Sequence, residues 1–150
     1  MDLNINQESK QIMISYSDTV PFVFPIVEGY VVKVYDGDTI TIASKMPYSY
    51  ESPMYRFSVR LLGIDTPEIK GKSDSERTVA KQARDELTTL LMNQTVTLKN
   101  VQTEKYGRIL ADVYLQELHI NNWMIEKRYA VAYNGKTKQG PTCWLTYLKG

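Results

Sequence analysis

Short stretches of strict polar–apolar alternation, broken once by a long helical repeat, set the strongest limit on how this chain can fold. Phe57, Val59 and Leu61 alternate with Arg56, Ser58 and Arg60, which buries one face of a strand and turns two arginines to the other. Thr39-Ile40-Thr41-Ile42 alternates as strictly, and Tyr30 to Tyr35 precedes it across Asp36-Gly37. The two segments read as a hairpin with Asp-Gly at the bend. Thr95-Val96-Thr97-Leu98 gives a fourth strand. Ile109, Ala111, Val113 and Leu115 give a fifth, entered through a bend at Tyr106-Gly107. Between the third and fourth strands, Val79, Ala83, Leu87, Leu90 and Leu91 recur at helical spacing behind a Ser73…Glu76 capping pattern, and Asn93 or Gln94 ends the run. Asn121 or Asn122 is placed to cap a short second helix through Lys127, and Trp144 to Leu148 allows one further helical turn. Three strands, a helix and two more strands predict an α+β, mainly β domain built as a small closed Greek-key barrel. A parallel α/β sheet would instead alternate strands with helices.

The 150 residues suffice for one core. With 43% hydrophobic and 23% charged residues, the chain has ordinary globular composition, which argues against extensive disorder. Residues 1–27 read as an N-terminal extension of unknown role, either packed as an extended arm or free of the barrel, and 28–150 as the domain. The apolar run Val20 to Val27 carries two prolines and falls far short of the ~20 residues that span a bilayer, so no membrane association is expected. The first twenty residues lack the basic start and apolar run of a secretory signal, which gives an intracellular, cytoplasmic expectation. Cys143, the single cysteine, excludes an intramolecular disulfide and a cysteine-based metal cluster, and a reducing compartment fits. The net charge of +1 hides an uneven distribution. After Glu126 come Lys127, Arg128, Lys136, Lys138 and Lys149 with no acidic residue, a basic end that can face a polyanion or simply be solvated.

Three segments carry chemistry: Asp36-Gly37-Asp38-Thr39, Arg60 through Glu68, and Lys105-Tyr106-Gly107-Arg108. Singly, each has an ordinary explanation. Asp-Gly marks a turn, Pro67 shapes a loop, and an arginine on an open strand face is usually solvated. Together, Asp38 and Asp65 lie at the edges of neighbouring strands and can converge on one cation. Hard oxygen ligands without nearby His or Cys suit calcium or magnesium. Glu68 follows Asp65 closely enough to address a water beside that ion, and Arg60 and Arg108 can present planar forks to phosphate oxygens. A metal, a carboxylate and two arginines make a phosphodiesterase constellation.

These three segments, in this order and with an amphipathic helix between the second and third, resemble those of the staphylococcal nuclease (thermonuclease) family from about Glu28 to Tyr133. The resemblance implies a five-stranded OB-fold barrel with two or three packed helices. It also implies calcium-dependent hydrolysis of DNA and RNA that leaves 3′-phosphate ends. By position, Asp38, Asp65 and the carbonyl of Thr66 resemble the ligands of one Ca²⁺ site, and Arg60, Glu68 and Arg108 the catalytic set. Lys105 and Tyr106 match positions that touch the terminal phosphate and nucleotide of substrate, and Tyr133 falls near a tyrosine-bearing pocket wall. DNA or RNA is the expected partner, and the chain is expected to act as a monomer. Two departures stand out. Arg128 occupies a place where the family commonly has a helix-closing glycine, and the Ile69 to Asp74 loop is shorter than in the best-known members.

Other residues carry blander expectations. His119 is expected on the surface without a catalytic or ligand role. Cys143 is expected to pack rather than react, and Trp123, Met124 and Tyr129 to line the apolar side of the second helix. Tyr48, Tyr50 and Tyr55 flank a loop and can stack on bases. The alternative to an enzyme is a non-catalytic nucleic-acid-binding or interaction module on the same barrel. The presence of every acidic and arginine position of the constellation favours the enzyme.

Overall fold

The alternating segments form the strands that their periodicity predicts, and the computed structural model describes residues 12–136 and 138–150. The strands are β1 (Glu28–Asp36), β2 (Thr39–Ser44), β3 (Tyr55–Leu61), β4 (Ile64–Asp65), β5 (Thr95–Thr103), β6 (Ile109–Leu115), β7 (Leu118–His119) and β8 (Val131–Ala132). The α-helices are α1 (Asp74–Leu91), α2 (Ile120–Glu126) and α3 (Trp144–Lys149). The sheet runs β3-β2-β1-β5-β6, and a parallel pairing of β3 with β6, from Val59 opposite Ile109 to Leu61 opposite Ala111, closes it on itself. The result is the expected closed five-stranded OB barrel with three helices. Short β7 hangs on β6, and β4 pairs with β8 outside the barrel. Two-residue strands of this kind carry no readable periodicity. Among the described residues no helix is long and apolar enough to cross a membrane.

Alternation in sequence becomes an inside and an outside. Val31, Ile40, Ile42, Val59, Leu61, Val96, Ile109, Ala111 and Val113 are buried, and the α1 stripe of Val79, Ala83, Leu87 and Leu91 is fully buried with them. Each fully buried aliphatic side chain of this size contributes about 1.5–3 kcal/mol. Ser73 caps α1 by accepting from the Glu76 N–H at 3.0 Å. The reciprocal half of the capping box is absent, because the Glu76 carboxylate accepts instead from the Glu68 N–H at 2.9 Å. Asn93, at φ 64°, ends the helix as expected, and its N–H donates to Val31 O.

Several expectations need correction. Strand β5 continues to Thr103, five residues past the alternating segment, through a register irregularity between Lys99 and Gln102. His119, not Asn121 or Asn122, stands at the N-cap of α2. Asn121 is buried: its carboxamide accepts from Val113 N–H at 2.9 Å and donates to Leu62 O at 2.8 Å and Ala111 O at 3.2 Å. A core position with three backbone partners outcompetes a capping role. His119 pairs with Asp112 and stacks on Tyr114, on the outside of the barrel as expected. Met124 and Tyr129 are buried and Trp123 packs against the core, as their spacing suggests. Cys143 does not pack; it is exposed at the start of α3, beside Ser75 Oγ, and the neighbour that goes inside is Trp144.

The extension divides into two parts. Residues 1–11 lie outside the described residues. Ile12, Met13, Ile14 and Tyr16 are exposed, so their alternation marks no strand. From Phe22 onward the segment packs as an arm: Thr103 Oγ1 donates to Phe22 O, Phe22, Phe24 and Phe57 meet edge to face, and Ile26 enters the core.

Candidate active site

One end of the barrel gathers the polar residues. At the β1–β2 bend, Gly37 is buried, and a Cβ there would lie 3.3 Å from Ala83, Met124 and Thr66 side-chain atoms. Only a residue without a side chain lets the bend sit this close to α1, α2 and the Thr66 loop, which sets Asp36 and Asp38 beside β3 and β4. Leu61 N–H donates to Asp38 O at 2.8 Å and ties the bend to the end of β3. Arg60 stands opposite Thr39 in the β2–β3 ladder.

The Arg60 face, expected to be open, is instead the cleft wall: its side chain is 12% exposed. Nη1 donates to Leu61 O at 2.6 Å, while Nη2 lies 3.4 Å from Asp38 Oδ2 and 3.9 Å from Asp65 Oδ1. The guanidinium sits 5.8 Å from the centre of the Tyr133 ring. Tyr133 is brought there by β8, whose pairing with β4 continues as Tyr133 N–H donating to Gly63 O. Arg108 arrives from the adjacent strand, one residue before Ile109, which pairs with Val59 of β3. A tight turn over Glu104–Gly107, with Gly107 at φ +90°, carries Lys105 and Tyr106 at its apex and returns Arg108 against Glu104 at 2.5 Å. Arg108 Nη1 also lies 3.4 Å from Thr39 Oγ1, which in turn donates to Asp38 Oδ1 at 3.0 Å. Both arginines therefore connect to the same aspartate, one directly and one through Thr39.

Electrostatics follow from this crowding. Burial, and then the charge of Asp38, push the Asp36 carboxyl up to about 7. Burial also raises Asp65, with Asp38 adding to the rise and the Lys138 and Arg60 charges opposing it. Glu104 is lowered, chiefly by its hydrogen bond from Arg108, and that bond raises Arg108 in return. The cleft's acids are balanced by its lysines together with its two arginines, Lys138 pairing with both Asp65 and Glu68.

An open cavity of about 680 Å³ is lined by Asp38, Thr66, Arg60, Glu68 and Arg108 together with Lys105, Tyr106 and Tyr133. Asp65, buried beneath it, reaches the group through Arg60. All nine residues singled out in the sequence thus meet at one end of the barrel. Tyr106 is well exposed, with Lys105 Nζ 5.0 Å over its ring. Tyr48 and Tyr50 are exposed but lie outside this cavity.

Asp36, Thr39, Glu104 and Lys138 are site residues that sequence reasoning did not assign. Glu104 had a signal, an acid four residues before Arg108. Lys138 had none: it meets Glu68 from 70 residues away. As a cation site the donor set of Asp38, Asp65 and the Thr66 carbonyl is all hard oxygen, which suits a hard cation. Among the described residues no three His, Cys, Asp or Glu side chains cluster as a ready cage. The two carboxylates would leave most of the coordination to backbone carbonyl and water, as an open calcium site does.

A closed OB barrel whose end cleft sets two arginines beside a group of carboxylates is the class of protein that the fold and the site define. Residues 58–143 match the family model described as "Staphylococcal nuclease homologue". An "Uncharacterized endonuclease" of Escherichia coli is 30% identical over 128 residues, covering 81% of this chain and 74% of that protein. An "Uncharacterized endonuclease" of Haemophilus influenzae is 33% identical over 103 residues, covering 69% and 51%. The "Thermonuclease" of Staphylococcus hyicus is 32% identical over 104 residues, covering 68% and 57%. The chain belongs to the family of staphylococcal nuclease homologues.

Proposed function

We propose that this protein is a calcium-dependent nuclease that hydrolyses phosphodiester bonds of DNA or RNA and leaves 3′-phosphate ends. The observation that carries the reading is the convergence of Arg60 and Arg108, brought together by the parallel pairing of β3 with β6, on a cavity that Asp38 and Glu68 also line. Asp38, Asp65 and the Thr66 carbonyl would hold the cation, which when bound polarises the phosphate and lowers the pKa of a coordinated water. The two guanidiniums grip non-bridging phosphate oxygens and stabilise the charge that builds on five-coordinate phosphorus. Glu68 accepts the proton of the attacking water, whose oxygen bonds to phosphorus as the P–O5′ bond breaks, and the departing O5′ takes a proton from solvent to become the 5′-hydroxyl. Lys105 and Tyr106 hold the flanking phosphate and nucleotide without reading a base edge, and Tyr133 walls the nucleotide pocket.

Plasmid degradation in calcium, then in chelator, tests this. Cleavage in calcium that chelator abolishes, with 3′-phosphate termini on the products, is the expected result. Binding without cleavage in any divalent cation would transfer the protein to the non-catalytic module reading.

A further inference from the structure

Lys138 lies in the irregular stretch between β8 and α3, yet its ammonium reaches the centre of the cleft. Nζ donates to Glu68 Oε1 at 2.8 Å and lies 3.7 Å from Asp65 Oδ1. The same Asp65 oxygen also faces Arg60, at 3.9 Å. The two cations differ in how they are held. Arg60 is nearly buried and anchored on Leu61 O, whereas the Lys138 side chain is 55% exposed on a flexible stem. Among the described residues, no other Lys, Arg or His reaches salt-bridge distance of Glu68.

We infer that Lys138 is an exchangeable counter-cation of the cleft, competing with the divalent ion for Asp65 and holding the Glu68 carboxylate until that ion arrives. The inference rests on the metal reading proposed above. A divalent cation at Asp65 is repelled by an ammonium a few ångströms away, and Lys138 must swing out before Glu68 is free to accept a proton. Arg60 cannot respond in this way, so the adjustable charge belongs to Lys138. Its role is to set the cation concentration at which the site fills, and it leaves Glu68 before the chemistry begins.

The test compares wild type with Lys138→Met and Lys138→Arg, and uses Asp38→Ala as a control. Calcium affinity is read by calorimetric titration of the full chain with calcium chloride and by the calcium dependence of Tm. Lys138→Met should tighten calcium binding about five- to tenfold, the scale of one screened charge interaction at this range. Lys138→Arg, which keeps the charge, should stay near wild type. In chelator Lys138→Met should melt below wild type, because its carboxylates have lost a counter-charge, and saturating calcium should close the gap. Unchanged or weaker calcium binding in Lys138→Met, with wild type binding and Asp38→Ala impaired, overturns this inference alone. If wild type binds no divalent cation, or Asp38→Ala binds as wild type does, the metal reading falls and this one with it.

Discussion

The two sides of the cleft are built differently. Asp38, Arg60, Asp65 and Thr66 sit on strands or at strand ends. Their backbones are fixed by the β2–β3 and β4–β8 ladders and their side chains are largely buried. Glu68, Lys105, Tyr106, Lys136 and Lys138 project from loops, are exposed, and are positioned by single contacts such as Glu76 on the Glu68 N–H. The contrast separates two tasks. Groups that must meet developing charge need preorganisation, which a barrel wall supplies. Groups that admit, grip and release a polymer need freedom, which loops supply, and Glu68 is the exception, a proton acceptor carried on the loop side. Arg108 stands between the two, on a turn but braced by Glu104 and Thr39.

That division can be broken most forcefully at Arg108. Arg108→Gly should leave a folded, calcium-binding protein and slow single-turnover cleavage by hundreds to a thousandfold, about 3–4 kcal/mol, by analogy with loss of one oxyanion donor. Circular dichroism checks the fold while quenched-flow cleavage supplies the rate. A variant that cuts at the parental rate would show that the wall does not perform the chemistry.

Next in size is the support behind the wall. Asn121→Ala strands the Val113 N–H and withdraws the donor from Leu62 O, at the junction that leads from β3 into β4 and Asp65. An unsatisfied buried group costs about 1–3 kcal/mol, so urea unfolding should show a loss of roughly 2–3 kcal/mol without a change in m. The folded fraction should still cleave. A loss below about 0.5 kcal/mol would mean that water replaces the carboxamide.

This residue also shows where the sequence is legible and where it stops. Val59, Leu61, Ile109 and Val113 announce their strands because period-two alternation is a local property. Ser73 announces its helix for the same reason. The Asp38, Asp65, Arg60 and Arg108 set could be read because short strands joined by tight bends leave few ways to arrange their ends. Asn121 reads as a cap, since nothing within its own segment reveals three backbone partners from elsewhere. Lys138 reads only as part of a basic end, facing a polyanion or solvated, because its carboxylate partner is 70 residues distant. Cys143 misleads for a related reason: its buried neighbour Trp144 suggests packing, while the thiol itself faces out, with hydrogen bonds from Ser75 and Thr146 lowering it to about 7.

A subtler separation concerns pH. Asp36 titrates near 7 in the folded chain against 3.8 without the fold. Between those values the folded state binds more protons than the unfolded one, so stability falls as pH rises. In chelator, Asp36 contributes its full stabilisation below about pH 4, and that contribution is lost as pH rises through about 7. Calcium beside Asp38 should neutralise the Asp38 charge and offset the cost that burial puts on ionising Asp36. Urea titrations from pH 4 to 8 should therefore show a downward slope in chelator that calcium flattens and Asp36→Asn removes. A slope that survives in Asp36→Asn would place its origin in Asp65 instead.

The smallest effect sharpens the loop side of the comparison. Arg128 follows α2 at φ 65°, a left-handed backbone conformation that favours glycine. A non-glycine residue there costs about 1 kcal/mol. Arg128 offsets that cost through its side chain, whose Nε donates to Tyr147 O and whose guanidinium lies 4.1 Å from the centre of the Tyr147 ring. The clasp fastens α3, and with it the far end of the segment that carries Lys138. Tyr147 OH on Ala130 O and Leu145 N–H on Ser75 Oγ fasten it further. Arg128→Gly should relieve the strain and release the clasp together, changing global stability by less than about 0.5 kcal/mol. Amide exchange in α3 should nevertheless accelerate several-fold while the barrel strands keep their protection. Uniform acceleration across barrel and helix would mean that α3 opens only with the whole domain, and the loop side of the cleft would then be no looser than its wall.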